Sequence, residues 1–380
     1  MAPPTQAPRP IRETIHPPLV LNTNKRIPIL RAATHHPDPE PVLPVAHSKQ
    51  QQQQQQSAAG IEGGGRRDPA AASAAAAAVE WSVYFIGTAT TVISYAGARL
   101  LTDPKFLHAG DHVHLGPGVT ATRLMDPAVP DLAALPPVDC VLLRDLPIVT
   151  TPHARACLEA AGEADGGPFR RVWGFDAFEG VLMPVVDEQG GVGLEAVQGR
   201  KGERKPAVRV TGMPGKHVSP GTLAKVNELL GAVPPTNGWL VELGGWTTTA
   251  AAAVEGTAEQ GGEGFETGYR IYISGDTLMV DELNEIPKRL QGDKIDLMLV
   301  HLGGTTIPGP KMSLIMVTMD GKQGVQLMRL VDLDITIPVH FDDYDVFCSP
   351  LDDFKKEVEA AGLAGKVVYL DRGDEFRFTL

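Results

Sequence analysis

A layered, mixed α/β fold is what the sequence predicts for residues 80–380, and three observations predict it. The first is a change of texture at Glu80, where Pro-, Gln- and Ala-rich sequence gives way to short β-rich runs. The second is the order of those runs. Strands come in quick succession early, then alternate with helical stretches, as in sheets covered by helices. The third is composition: 43% of the residues are hydrophobic and the mean hydropathy is -0.07, which allows a sizeable core in a water-soluble chain.

The expected strands are 81–86, 90–95, 99–102, 138–143, 147–151, 208–212, 239–243, 269–274, 295–301, 335–340 and 367–370. These runs are rich in β-branched and aromatic residues and end at turn formers. Helices are expected at 219–230, 324–331 and 350–361. The last opens Ser349-Pro350, a capping residue followed by proline at the first helical position. Residues 187–205 and 244–268, the latter with an excess of Thr, Ala and Gly, read as insertions, and no solenoid repeat is present.

Residues 1–79 read as a tail. Prolines recur through Pro44, followed by a glutamine tract from Gln50 to Gln56, Gly63-Gly64-Gly65 and an alanine run from Ala74 to Ala78. Such sequence buries too little apolar surface to offset the entropy of ordering, so disorder is expected.

The formal net charge of -12 argues against a nucleic-acid partner and weighs against anionic membranes. No uncharged apolar run approaches the roughly 18 residues of a membrane span. Cys140, Cys157 and Cys348 share no CxxC spacing, and their odd number points to a reducing compartment. The cytoplasm is the expected location. Glu13 is the sole acid before Asp38, and Arg9, Arg12, Lys25, Arg26 and Arg31 keep a mitochondrial address as the alternative, although the prolines break any amphipathic helix.

Chemistry gathers where apolar β runs end. Residues 208–212 lead through two glycines to His217. Residues 269–274 run into Gly275-Asp276, and 335–339 end at His340, beside Asp342 and Asp343. Singly, each has an ordinary structural reading: a hydrogen-bonded histidine, or a turn. Together they are a donor set suited to zinc or a similar ion, because side chains at strand ends can converge on one rim of a sheet. Around them, Asp103, His112, His114 and His301 are candidate cleft-lining residues. In His108-Ala-Gly-Asp-His112-Val-His114, an extended His-x-His pair would point both rings one way, as a metal needs; the alternative is a solvated loop. His301 ends the 295–301 run, and His153 sits at a Thr-Pro-His helix start.

In this order and with these flanks, the motifs resemble the metallo-β-lactamase superfamily, in its ascorbate-phosphate-lactonase-like branch. The stretch from Gly87 through Leu101-Thr-Asp103-Pro104 is similar to that branch's opening hairpin. Met213-Pro-Gly-Lys-His217, Ser274-Gly-Asp276-Thr277 and Val339-His340 are similar to its later metal motifs. Over residues 81–380 the resemblance implies an αββα sandwich, two mixed sheets face to face with helices outside and a metal cleft along one edge. It also implies a zinc-dependent hydrolase acting on a small molecule through an ester, lactone, amide or phosphodiester bond.

One departure is large. The superfamily's His-x-His-x-Asp-His follows a strand of the type Val138-Asp-Cys-Val-Leu-Leu143, yet here Arg144-Asp-Leu146 leads straight into Pro147. If both flanking runs were parallel neighbours, their crossover would need about a dozen residues. Either the second run leaves the sheet or the pairing is irregular. By resemblance, the missing segment takes away the histidine pair that would join His217 and the Asp-His that would join His340, leaving Asp276 as the bridging ligand. The expectation is an impaired hydrolase holding at most one ion on His217, Asp276 and His340. The alternative is a non-catalytic protein that binds a small molecule or partner in the remnant cleft.

Overall fold

The computed structural model describes residues 12–13, 21–22, 80–116, 119–131, 134–135, 138–140, 148–163, 172–186, 204–218, 221, 233–247, 265–309 and 312–379. The first part contains β1 (Glu80–Gly87), β2 (Thr90–Tyr95), β3 (Ala98–Thr102), β4 (His112–Gly116) and β5 (Val119–Thr122). Then come β6 (Ile148–Thr150), α1 (Pro152–Glu163), β7 (Val172–Gly174), β8 (Glu179–Val186), β9 (Arg204–Met213), β10 (Gly238–Thr247) and β11 (Phe265–Ile273). The C-terminal part holds α2 (Glu285–Leu290), β12 (Leu297–His301), β13 (Gly303–Gly309), β14 (Met312–Met316) and α3 (Gly321–Val331). It closes with β15 (Ile335–Val339), β16 (Phe347–Ser349), α4 (Leu351–Ala360) and β17 (Glu375–Thr379).

Two sheets form the body. In the smaller, the order is β17-β1-β2-β3, all antiparallel, so the C-terminal strand closes the edge of the opening meander. Cys140 adds a parallel bridge at Leu100. In the larger, β8 to β11 run antiparallel in sequence order, and β11, β12 and β15 continue in parallel. The dipeptides Arg12–Glu13 and Leu21–Asn22 pair in parallel with β8.

Alternation along the strands builds the layers. Ile271, Ile273, Leu297, Leu299, Ile337 and Val339 face the smaller sheet and pack with Trp81, Val83, Phe85, Ile93 and Leu100. Tyr95 Oη crosses this layer to donate to Gly244 O at 2.6 Å. On the opposite face, Leu240, Tyr272, Met298 and Val300 pack with Val325, Leu327, Met328 and Val331 of α3 and with Phe354 and Val358 of α4. The strand β12, Leu-Met-Leu-Val-His, is therefore buried at every position, as expected for a parallel strand covered on both sides. Helix α3 begins where Asp320 caps it, its carboxylate accepting from Gln323 N at 2.8 Å.

Several elements differ from the sequence reading. Pro350, not Ser349, is the N-cap of α4. Ser349 instead accepts from Gly321 N through Oγ, tying α3 to β16. The 367–370 run contributes a single bridge, Val367 to Thr336, after a 3-10 turn. Strands β10 and β11 reach into the stretch read as an insertion, pairing Gly244 to Thr267 and Trp246 to Phe265. Hairpins β4–β5 and β13–β14, and strands β7, β8, β16 and β17, were not expected. The described part of the 147–151 run is β6, which pairs in parallel with β7 in a two-stranded sheet, with α1 as the crossover. Residues 141–147, the predicted helix at 219–230 apart from Gly221, the centres of both insertions and all but two dipeptides of 1–79 lie outside the described residues.

Candidate metal centre

Four strand ends of the larger sheet place four donors. The turn after β9 holds His217, that after β11 holds Asp276, His301 is the last residue of β12, and His340 follows β15. The turns are laced to one another. Thr277 Oγ1 accepts from Lys216 N at 2.8 Å and Leu278 N donates to Lys216 O at 2.9 Å, joining the His217 and Asp276 turns. Ser274 Oγ accepts from His301 N at 2.9 Å, joining the ends of β11 and β12. Gly275 turns with φ +65°, and a Cβ there would lie 2.3 Å from Asn237 O, so only glycine lets Asp276 be presented at this spot.

His340 itself adopts φ 61°, a left-handed conformation costly for a non-glycine residue. Its backbone is held there from the other sheet: His340 N donates to Thr88 O at 2.6 Å. Thr88 is in turn fixed by Arg123, which is buried and donates from Nη1 to Thr88 Oγ1 at 2.5 Å and from Nε to Met125 O at 2.7 Å. Arg123 faces the buried Asp343 carboxylate at 3.4 Å, and Arg372 closes the network with 2.7 and 2.5 Å bonds to Asp342 and Asp343. Sequence reasoning passed over this brace, since nothing local marks Arg123 as buried.

All three histidines engage one nitrogen and leave the other. Nδ1 of His217 lies 3.1 Å from Val317 O, Nδ1 of His340 3.1 Å from Leu302 O, and Nδ1 of His301 3.4 Å from Ser274 Oγ. A backbone carbonyl accepting from Nδ1–H fixes the tautomer whose Nε2 lone pair is free, the arrangement that supports histidine ligands in metal sites. His340 Nε2 stands 3.6 Å from Asp276 Oδ1, and His301 Nε2 stands 3.6 Å from Asp103 Oδ2. Asp276 Oδ1 and His301 Nε2 are enclosed and have no hydrogen-bond partner among the described residues.

Electrostatics follow from this packing. Burial opposes the charge on Asp276, but His340, His301, His217 and Lys105 outweigh it and hold the carboxyl well below the usual range. Burial likewise opposes a charge on His301, yet Asp103 and Asp276 raise its pKa. For His340 burial prevails over Asp276 and the pKa falls.

A cleft of about 480 Å³ opens over these groups, lined by His217, Asp276 and His340 together with Lys105, His114 and Tyr344. The three residues singled out from strand ends thus share one cleft. His112 and His114 lie on β4, with their Nδ1 atoms 3.3 and 3.2 Å from Thr122 and Thr120 Oγ1 on β5. His114 lines the cleft and His112 does not. His301 and Asp103 lie beside the cleft, reached through His340, whose ring centroid is 5.8 Å from that of His301. His153 is exposed on α1. The donor chemistry fits a divalent cation in pairs. Among the described residues, however, no three His, Cys, Asp or Glu side chains already converge on one point.

Among solved structures, the chain is similar to an isothiocyanate hydrolase from Delia radicum gut bacteria. The two share 15% identity with a TM-score of 0.53, covering 79% of this chain and 100% of that one. The chain has the metallo-β-lactamase fold. Lower-scoring structures are a possible metal-dependent hydrolase from Veillonella parvula (TM-score 0.48, 14% identity, 80% of this chain and 100% of that one) and Igni18, a metallo hydrolase from Ignicoccus hospitalis (TM-score 0.43, 14% identity, 79% and 99%). No protein-family model matches the sequence, and no curated protein matches it. In the metallo-β-lactamase fold of this chain, all described helices are too short or too polar to cross a membrane.

Proposed function

We propose that the chain is a metal-dependent hydrolase of a small molecule, working with one divalent ion, zinc by the nature of its donors, held on His217, Asp276 and His340. The observation behind this reading is the shared cleft in which histidines anchored through Nδ1 surround the unpartnered Oδ1 of Asp276. Histidine and carboxylate together suit zinc, which takes three protein ligands in catalytic sites. When bound, such an ion supplies Lewis acidity and a water nucleophile at neutral pH. The chain's own residues do the rest. Asp276 stays ionised through the working range and neutralises part of the ion's charge. Val317 O and Leu302 O orient two imidazoles. Lys105, its Nζ 5.3 Å over the Tyr344 ring at the cleft wall, is placed to receive an anionic group of the substrate.

The missing His-x-His-x-Asp-His makes this a weakened enzyme acting on an ester, lactone, amide or phosphodiester, in the cytoplasm. A second reading, a non-catalytic protein of the same fold that binds a small molecule or partner, is favoured by one observation: the described donors meet in pairs rather than in threes.

The test is metal content by elemental analysis, with turnover of an aryl ester, a lactone and a phosphodiester, on protein purified without chelator. A version with His-x-His-x-Asp-His restored between Leu143 and Arg144 is measured beside it. The expected result is at most one zinc and slow turnover as written, with two zincs and faster turnover after restoration. Two zincs and equal turnover in the unmodified chain would overturn the weakened-enzyme reading. Neither metal nor turnover in either protein would leave the binding reading.

A further inference from the structure

Two His–Asp pairs in this fold stand at the same unusual separation. His340 Nε2 to Asp276 Oδ1 and His301 Nε2 to Asp103 Oδ2 are each 3.6 Å. A charge-assisted N–H···O bond closes to about 2.7–2.9 Å, so neither pair is bonded. Two donors on one tetrahedral zinc, each about 2.1 Å from it, sit about 3.4 Å apart. Both gaps are too long for a hydrogen bond and match the span across a shared ion, while still lying within ion-pair range.

His301 is otherwise hard to account for. It is 1% exposed, and its Nε2 makes no hydrogen bond of ordinary length among the described residues, so the desolvation of this nitrogen is offset only by the charges of Asp103 and Asp276. Its ring is fixed from behind by Ser274. Asp103 is presented to it by a built turn. The backbone there takes φ 40°, Thr90 Oγ1 donates to Asp103 O at 2.8 Å, and Lys105 N donates to Thr90 Oγ1 at 2.9 Å. The carboxylate is about half exposed, so it can rotate to meet a ligand. His301 and His340 lie ring to ring at 5.8 Å, with Asp276 near both.

We infer that His301 and Asp103 join His340 and Asp276 in holding the divalent cation, supplying the histidine and carboxylate that the lost segment does not. This rests on the metal-dependent reading above and adds two donors to the set that reading names. As they stand no three of these donors converge on one point, so the pairs close on it by side-chain movement. Asp103 comes from the smaller sheet and the other donors from the larger, so the ion lies where the sheets' edges meet.

Zinc titration by calorimetry on the chelator-stripped full chain tests this, with His301→Gln, Asp103→Asn, His340→Ala and His112→Ala compared to the parent. Thermal melts without zinc confirm folding in each case. The expected result is a loss of at least about tenfold in zinc affinity for H301Q and for D103N, a larger loss for H340A, and none for H112A. D103N alters a half-exposed side chain, so it keeps the test alive if H301Q fails to fold. A merely structural His301–Asp103 pair would lower the zinc-free melting temperature and leave affinity unchanged. Parent-like affinity in both H301Q and D103N, with loss confined to H340A, would overturn the assignment and leave the proposed function standing. No zinc binding by the parent would sink both.

Discussion

Replacing Asp343 by Asn removes one carboxylate from the buried brace behind His340. Asp343 and Arg123 are both 0% exposed, and the Asp343 carboxylate also receives Arg372 at 2.5 Å. D343N leaves Arg123 without its contact carboxylate in a dry site, with Asp342 the nearby charge that remains. Breaking a buried pair from one side costs about 3–5 kcal/mol. A domain of about 300 residues unfolds with an entropy near 0.6 kcal/mol/K, so the melting temperature should fall by about 5–8 °C. Asp342→Asn is the matched control. Asp342 is about one-third exposed and Arg372 keeps Asp343, so the fall should be about 1 °C. Scanning calorimetry on both variants decides the matter. If D343N melts within about 2 °C of the parent, or no lower than D342N, the brace is not what stabilises the turn.

Three more outcomes are expected. Gly275→Ala forces a side chain into φ +65° and against Asn237 O, so stability should fall by more than about 2 kcal/mol and zinc affinity should fall with it; an unchanged melt and titration would refute the turn argument. Burial raises the pKa of Asp139 to about 6, opposed by its 2.8 Å bond from Arg99 N and the Arg99 charge. Here the folded state holds the proton more tightly, so the contribution of this group is most favourable below pH 4, falls as pH rises to about 6, and stays low above. Asp139→Asn should therefore match the parent at pH 4 and exceed it by about 1–2 kcal/mol at pH 8, the shift being discounted for solvent; an equal difference at both pH values in denaturant melts would contradict this. Leu299→Ala opens a void between the sheets, where Leu299 is 1% exposed, and should cost about 2–5 kcal/mol in urea unfolding; a loss under 1 kcal/mol would mean that layer is loosely packed.

Much of the site was legible because its residues follow strands of clear β character. His217, Asp276 and His340 each stand just past an apolar run, next to glycine or a change in polarity, and strand order then places them on one rim. What stayed hidden depends on distant parts of the chain. Nothing near Asp103 in sequence reveals that its carboxylate faces His301, since that depends on how the smaller sheet, at the end of β3, packs against the end of β12 in the larger. Arg123 looks like any surface arginine until β5 carries it beneath the His340 turn. Strand β8 includes Pro184 and opens with Glu-Gly, which hid its β character. Ser349-Pro350 has the sequence of a helix cap, but the serine hydroxyl is captured by Gly321 of another helix.

The hydrogen bond from His340 N to Thr88 O has a kinetic meaning as well. It joins the first hairpin of the domain to a turn near its end, and Asp103 and His301 are almost as far apart along the chain. Closing such contacts requires most of the intervening polypeptide to be ordered first, and folds dominated by non-local pairing form slowly. The cation pocket is thus among the last features to assemble during refolding, and no fragment lacking either end of the domain can contain it. Recovery of zinc binding after dilution from denaturant should lag behind recovery of β-sheet circular dichroism, which makes the pocket a clock for completion of the native topology.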